Sequence, residues 1–226
     1  MPTDGNIKLE DQSLVFLGKI MASISHELNN TVAIIKEYNG LLEDMLLGVQ
    51  RGNPIDDKKV ERVSKKIASQ TEKGTEIIKR FNKFAHSMDY PVNSIKLDEL
   101  LPLIIGLSRR LTEIKGIYLT FDGMAESITL KTNPLLLQQA VFLGLEMFMA
   151  DADSNSQLIL SAGKTDNKVY IEITGSKIAE NDLIESAIQT LEIVMKNLNG
   201  VFEKKIEGKD KQAVILTLQD LETDRA

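Results

Sequence analysis

The chain has 226 residues, 27 Lys and Arg against 33 Asp and Glu, a formal net charge of −6, no Cys and only two His. Those counts exclude a disulfide framework, a thiolate nucleophile, Cys-ligated zinc and any multi-histidine metal site, and the acidic balance argues against general nucleic-acid binding. The length suits one large domain or two small ones, and 42% hydrophobic with 27% charged residues is ordinary for a folded globular chain. No run approaches 18 apolar residues and the N-terminus MPTDGNIKLEDQ has no basic-then-apolar leader, so the expected compartment is the cytoplasm. The charge is uneven. Residues 1–56 carry 4 basic and 8 acidic groups (net −4), residues 57–88 carry 9 and 4 (net +5), and residues 89–226 carry 14 and 21 (net −7).

Residues 9–47 lack Pro and hold a seven-residue apolar repeat. Leu14, Met21, Leu28, Ile35 and Leu42 form one row, a, and Leu17, Ile24, Thr31, Tyr38 and Met45 form the second, d. That predicts a helix roughly 60 Å long at about 1.5 Å per residue. Ile20, Val32, Ile34, Leu41 and Leu46 widen the stripe beyond a two-stranded seam, as in a bundle of several helices. Gly48, Gly52 and Pro54 break this helix, and Asp56 or Asp57 caps a second that runs to about Met88. The second seam is Val60, Ile67, Gly74, Phe81 and Met88, with Val63, Gln70, Ile77 and Phe84. Two such patterns and a short loop predict an antiparallel hairpin, and its uncovered apolar faces predict a dimeric four-helix bundle. An intramolecular bundle, or a helix pair packed on the second half, are the other ways to cover them.

After a short linker at 89–94 the texture changes. A helix is expected at about 98–114, strands at 117–121 and 127–131, then an apolar helix opened by Asn133 and Pro134 and reaching about 150. Strands at 157–163 and 168–174 follow, then a helix near 180–198 with Gly200 as its C-cap. Strands at 201–207 and 212–218 flank the turn Gly208-Lys-Asp-Lys211. The whole reads as an all-α hairpin followed by an α+β domain with helices on one face of a mixed sheet.

His26 lies in Ser25-His-Glu-Leu-Asn-Asn30 and falls at heptad position f, pointing away from the seam. There an imidazole is solvated and reachable by a partner. Glu27 can take a proton from one ring nitrogen, leaving the other nucleophilic near neutral pH. Asn30, four residues on, shares that face and can hold a water. On spacing alone, a lone exposed His on a helix is a solvated surface residue. His86, in Lys83-Phe-Ala-His-Ser87, sits near a helix C-terminus, where a positive group is favourable by roughly 0.3–1 kcal/mol. That explains it without a catalytic role.

The passage Phe16-Leu-Gly-Lys-Ile-Met-Ala-Ser-Ile-Ser-His-Glu-Leu-Asn-Asn-Thr31 resembles the phosphoacceptor helix of the bacterial two-component histidine kinases, whose pattern reads Ser-His-Glu-Leu-(Lys/Arg/Asn)-Asn/Thr-Pro-Leu. The resemblance implies that His26 accepts a phosphoryl group, that Glu27 is its acid/base partner and that Asn30 orients water in dephosphorylating a partner. Thr31 replaces the family's Pro, which should leave the helix less bent. Residues 95–218 follow the order of elements in the same family's ATP-binding domain. Its two phosphate- and magnesium-serving asparagines fall on Leu143 and Met147, the aspartate of its adenine motif on Gly175 or Thr174, and its glycine-rich lid on Ile188–Leu191. A thioether is a poor ligand for Mg²⁺. The sequence contains no Gly-x-Gly, the spacing that lets backbone N–H groups approach phosphates.

The expected organisation is therefore a dimerisation and phosphoacceptor hairpin at 1–90 and a degenerate histidine-kinase-type ATPase-like domain at 95–221. The expected function is that of a histidine phosphotransferase, similar to the dimeric phosphotransferases that resemble degenerate histidine kinases. It would exchange phosphate between His26 and the aspartate of response-regulator receiver domains, without binding ATP. No cofactor or metal is expected on this chain, the Mg²⁺ belonging to the receiver. The expected partners are receiver domains and a second copy, with neither nucleic acid nor membrane. Asn29, Asn30, Ala33 and Lys36 are the exposed candidates for receiver contact, and the basic second helix can steer an acidic receiver site or simply be a solvated face. The alternatives are a response-regulator phosphatase, a non-catalytic pseudokinase scaffold, and an active ATP-dependent kinase.

Overall fold

The computed structural model describes residues 4–206 and 211–220. Two long helices come first, α1 (Asp4–Gln50) and α2 (Asp57–His86). Next are β1 (Asn93–Lys96), α3 (Leu97–Ile114), β2 (Tyr118–Phe121), β3 (Thr129–Thr132) and α4 (Pro134–Met149). The chain ends with β4 (Gln157–Thr165), β5 (Lys168–Gly175), α5 (Asp182–Asn197), β6 (Gly200–Ile206) and β7 (Gln212–Gln219). It divides into two compact units: Met21–Lys83, and a second made of Met1–Ile20 with Phe84–Ala226. No helix among the described residues is long and apolar enough to cross a membrane.

The first unit is the hairpin. The turn that joins its helices closes through Asn53 N–H to Gly48 O (3.1 Å) and needs Gly52, whose φ of +86° is strained for a residue with a Cβ. Of the two candidate caps, Asp56 does the capping: its carboxylate accepts from Lys59 N–H at 3.0 Å. The d rows meet as expected, with Ile24 and Thr31 of α1 and Val63, Gln70 and Ile77 of α2 buried. The a row of α1 is less covered. Met21 is 56% exposed, Leu28, Ile35 and Leu42 are half-buried, and Val32, Leu46 and Ile78 also face outward.

In the second unit, residues 9–20 of α1 and the end of α2 pack with α4. Phe16 sits edge-on to Phe84 and tilted against Phe142, with ring centroids 6.0 and 5.2 Å apart, and Ser13 Oγ donates to Gln139 Oε1 at 2.9 Å. The main sheet runs β2-β4-β5-β7-β6, with β2 parallel to β4 and the rest antiparallel, the mixed sheet expected. Inward residues Leu158, Leu160, Val169, Ile171, Ile173, Leu216 and Leu218 share one core with Leu101, Ile104, Val141, Phe148, Leu191 and Val194 of α3, α4 and α5. Asn133 caps α4 by accepting from Leu136 N–H at 3.0 Å, directly ahead of Pro134.

Two local expectations change, and one falls outside the described residues. The stretch read as a linker at 89–94 runs into β1, which pairs antiparallel with β3 to make a separate two-stranded sheet (Asn93↔Thr132 to Lys96↔Thr129). Gly200 is not the cap of α5. Asn199 takes the left-handed turn (φ 53°), and Gly200 begins β6, where a Cβ would lie 2.7 Å from Thr217 O and 2.8 Å from Met195 Cε. Of the expected turn at 208–211, residues 208–210 lie outside the described residues.

Candidate functional site

The heptad places residues of α1 on defined sides of the hairpin unit, and three of them make the candidate site. His26 (f) and Asn30 (c) are both exposed and lie one turn apart on the outward side. Asn29, Ala33 and Lys36 are exposed around them, while Thr31 is buried. Glu27 (g) turns the other way. Its side chain is only 13% exposed, and Oε2 lies 3.7 Å from Nη2 of Arg80 on α2, itself 25% exposed. His26 and Asn30 thus share a face, whereas the carboxylate beside His26 is drawn toward the second helix.

Arg80 was not among the residues that sequence patterning selected, yet its position carries a signal. Phe81 is an a residue of α2, so Arg80 is g, as Glu27 is on α1, and positions flanking an apolar seam are where interhelical ion pairs form. The guanidinium also reaches back to its own helix, Nε donating to Glu76 O at 3.5 Å.

α1 runs unbroken through Thr31, which stands where the resemblance expects Pro. The Thr31 hydroxyl donates to Glu27 O at 2.9 Å, a side-chain bond to the carbonyl one turn back. Across the hairpin Thr31 faces Gly74, with Cγ2 at 3.5 Å from where a Cβ would stand, ordinary contact distance. His86, the last residue of α2, is exposed and pairs through Nδ1 with Asp89 Oδ2 at 3.0 Å.

The positions aligned with nucleotide chemistry have other surroundings. Met147 is fully buried in the α4 core, and Leu143 lines a cavity of about 440 Å³ whose walls include Leu111, Met149 and Ile184. Gly175 lies under apolar side chains: a Cβ there would come within 2.6 Å of both Phe148 Cδ1 and Leu158 Cδ2. In α4, Gly144 likewise lets the helix approach the sheet, its Cβ position being 2.5 Å from Ile173 Cδ1. In the loop after β5, two N–H groups are already committed, Ile178 to Gln212 Oε1 at 2.7 Å and Ala179 to Met147 O at 3.2 Å. Residues 188–191 lie inside α5, with Thr190 Oγ1 bonded to Ser186 O at 2.9 Å and Leu191 fully buried.

No protein-family model matches this sequence, and no curated protein matches it. Solved structures do. A histidine kinase from Burkholderia phymatum STM815 aligns with a TM-score of 0.50 at 13% identity, covering 87% of this chain and 97% of that one. The histidine kinase AdeS of Acinetobacter baumannii gives 0.49 at 12% identity over 87% and 98%. A bacterial phosphotransferase gives 0.48 at 10% identity over 90% and 96%. A helical hairpin followed by helices on a mixed sheet, with the similarity to the Burkholderia protein, gives this chain a histidine kinase-like fold.

Proposed function

We propose that the chain is a histidine phosphotransferase of a two-component relay, exchanging phosphate between His26 and receiver-domain aspartates without using ATP. The observation that carries this reading is a contrast. His26 and Asn30 are exposed on one face of α1, whereas the positions a nucleotide would need are occupied by core side chains. Three losses coincide there: amides replaced by Leu143 and Met147, an adenine-motif position packed under Phe148, and a glycine-free helix at 188–191.

The neutral imidazole offers one nitrogen lone pair to the phosphorus of an aspartyl phosphate. A P–N bond forms as the P–O bond to the aspartate breaks, and the receiver carboxylate leaves with that electron pair. The proton on the other ring nitrogen passes to Glu27 or water. Passing the phosphoryl group on to a second receiver reverses these bond changes. This chain supplies an oriented nucleophile, and a Mg²⁺ held by the receiver would neutralise charge on the transferring oxygens. The outward apolar residues Met21, Val32, Leu46 and Ile78 suit a second copy of the hairpin, which completes a four-helix bundle.

The test is to mix a phosphorylated receiver with the chain. Acid-labile, base-stable label on wild type and none on His26→Ala supports transfer; equal label on both variants, or none across the organism's receivers, overturns it. Asn30 favours a second reading, since an exposed amide one turn from His26 can orient water for receiver dephosphorylation. Under that reading Asn30→Ala slows phosphate release from the receiver and leaves label transfer to His26 intact.

A further inference from the structure

The Glu27–Arg80 pair carries a role that the phosphoacceptor reading does not assign. It joins the two helices of the hairpin beside His26, and both partners are largely withdrawn from solvent (13% and 25% exposed). Two other ion pairs of the hairpin unit, Lys65–Glu61 and Lys79–Glu76, lie within α2 and are at least half exposed, where such pairs contribute little. A guanidinium keeps its charge at any working pH and is planar, so anchored through Nε to Glu76 O it presents Nη2 in a defined direction. Glu27 is thereby held at the flank of the seam. Once His26 carries a phosphoryl group, further negative charge develops next to that carboxylate, and the Arg80 guanidinium stands 3.7 Å from it across the hairpin.

We propose that Arg80 is a positioning residue for phosphoryl transfer. Its charge holds the Glu27 carboxylate at the seam and offsets the repulsion between that carboxylate and the phosphorylated imidazole. The role rests on the phosphotransferase reading. It acts on the chemical step through Glu27, so it should appear in the rate at saturating receiver rather than in receiver affinity.

The experiment measures single-turnover transfer from a phosphorylated receiver to the full chain against receiver concentration, for wild type, Arg80→Gln, Arg80→Lys, Glu27→Gln and the Glu27→Gln/Arg80→Gln double variant. Thermal melting is followed alongside. Arg80→Gln is expected to lower the saturating rate about tenfold and to leave half-saturation within about twofold. Arg80→Lys, which keeps the charge, is expected to recover most of the rate, and in the Glu27→Gln background Arg80→Gln should have no further effect. Arg80's role is overturned if Arg80→Gln changes only the melting temperature, changes only half-saturation, or slows the Glu27→Gln background as much as wild type. If wild type takes no label, the relay reading fails and Arg80's role falls with it. Label on wild type with an unaffected Arg80→Gln rate removes Arg80 alone.

Discussion

Gly175→Ala tests whether the region aligned with the adenine motif has become core. The new Cβ would lie 2.6 Å from Phe148 Cδ1, 3.1 Å from Phe148 Cε1 and 2.6 Å from Leu158 Cδ2. Carbon atoms rest at about 3.5–4.0 Å, so the methyl overlaps each neighbour by about 1 Å. Neither can swing into solvent, since Phe148 and Leu158 are each 1% exposed and belong to the main core. Overpacking of this kind costs about 1–3 kcal/mol, or roughly 2–4 °C of melting temperature per kcal/mol for a unit of this size. The assay is urea unfolding of wild type, Gly175→Ala, Phe148→Leu and the double variant. Shortening Phe148 leaves a cavity and costs stability by itself, but it makes room for the methyl. The cycle should therefore show a favourable coupling of about 1 kcal/mol or more. If Gly175→Ala costs the same with and without Phe148, or costs nothing in wild type, Phe148 does not fill this position and the packed-core account of Gly175 is wrong.

Met147→Asn, which puts the family's residue type back into α4, should cost about 3–5 kcal/mol by burying an amide and losing apolar contact, and calorimetry should find no gain of Mg·ATP binding by the folded Leu143→Asn variant. Asn133→Ala removes the bond from Leu136 N–H and should lower stability by about 0.5–2 kcal/mol in urea unfolding. Gly40→Ala meets nothing within 4 Å and should stabilise the hairpin by about 0.5–1 kcal/mol, read as a higher thermal midpoint. Met21→Glu with Ile78→Glu, both on the outward apolar side, should convert a dimer to monomer in sedimentation, and a wild-type monomer would remove the four-helix bundle from the proposal.

The helices were legible because their signal is local: an apolar residue every three or four positions, an aspartate or asparagine ahead of the first turn, and Pro or Gly at the ends. α1, α2 and α4 follow from that alone. Strand β1 was not legible. It has four residues, only Ile95 is partly buried, and it exists through pairing with β3 some 35 positions away, which no local pattern encodes. Gly200 looked like a cap because glycine after a helix commonly is one, but its smallness serves the approach of Thr217 and Met195, and Asn199 adopts the left-handed turn. The seam was partly legible. The repeat marks which residues are apolar, yet one hairpin buries the d rows and leaves Met21 exposed, because the a row has no facing helix within the unit. At the site, the outward position of His26 and Asn30 followed from the heptad. The partner of Glu27 did not, because matching Glu27 to Arg80 requires the register between two helices, which the turn around Gly52 and the burial of Ile24, Val63 and Ile77 determine together.

The central claim is that phosphate reaches His26 from an aspartyl phosphate and not from a nucleotide. The direct measurement incubates the full chain in parallel with labelled ATP and Mg²⁺ and with a labelled phospho-receiver freed of nucleotide, then maps the label by acid and base stability and by His26→Ala. Label from the receiver alone, base-stable and lost in His26→Ala, is the predicted result. Label on His26 from ATP and Mg²⁺ with no receiver present would contradict it.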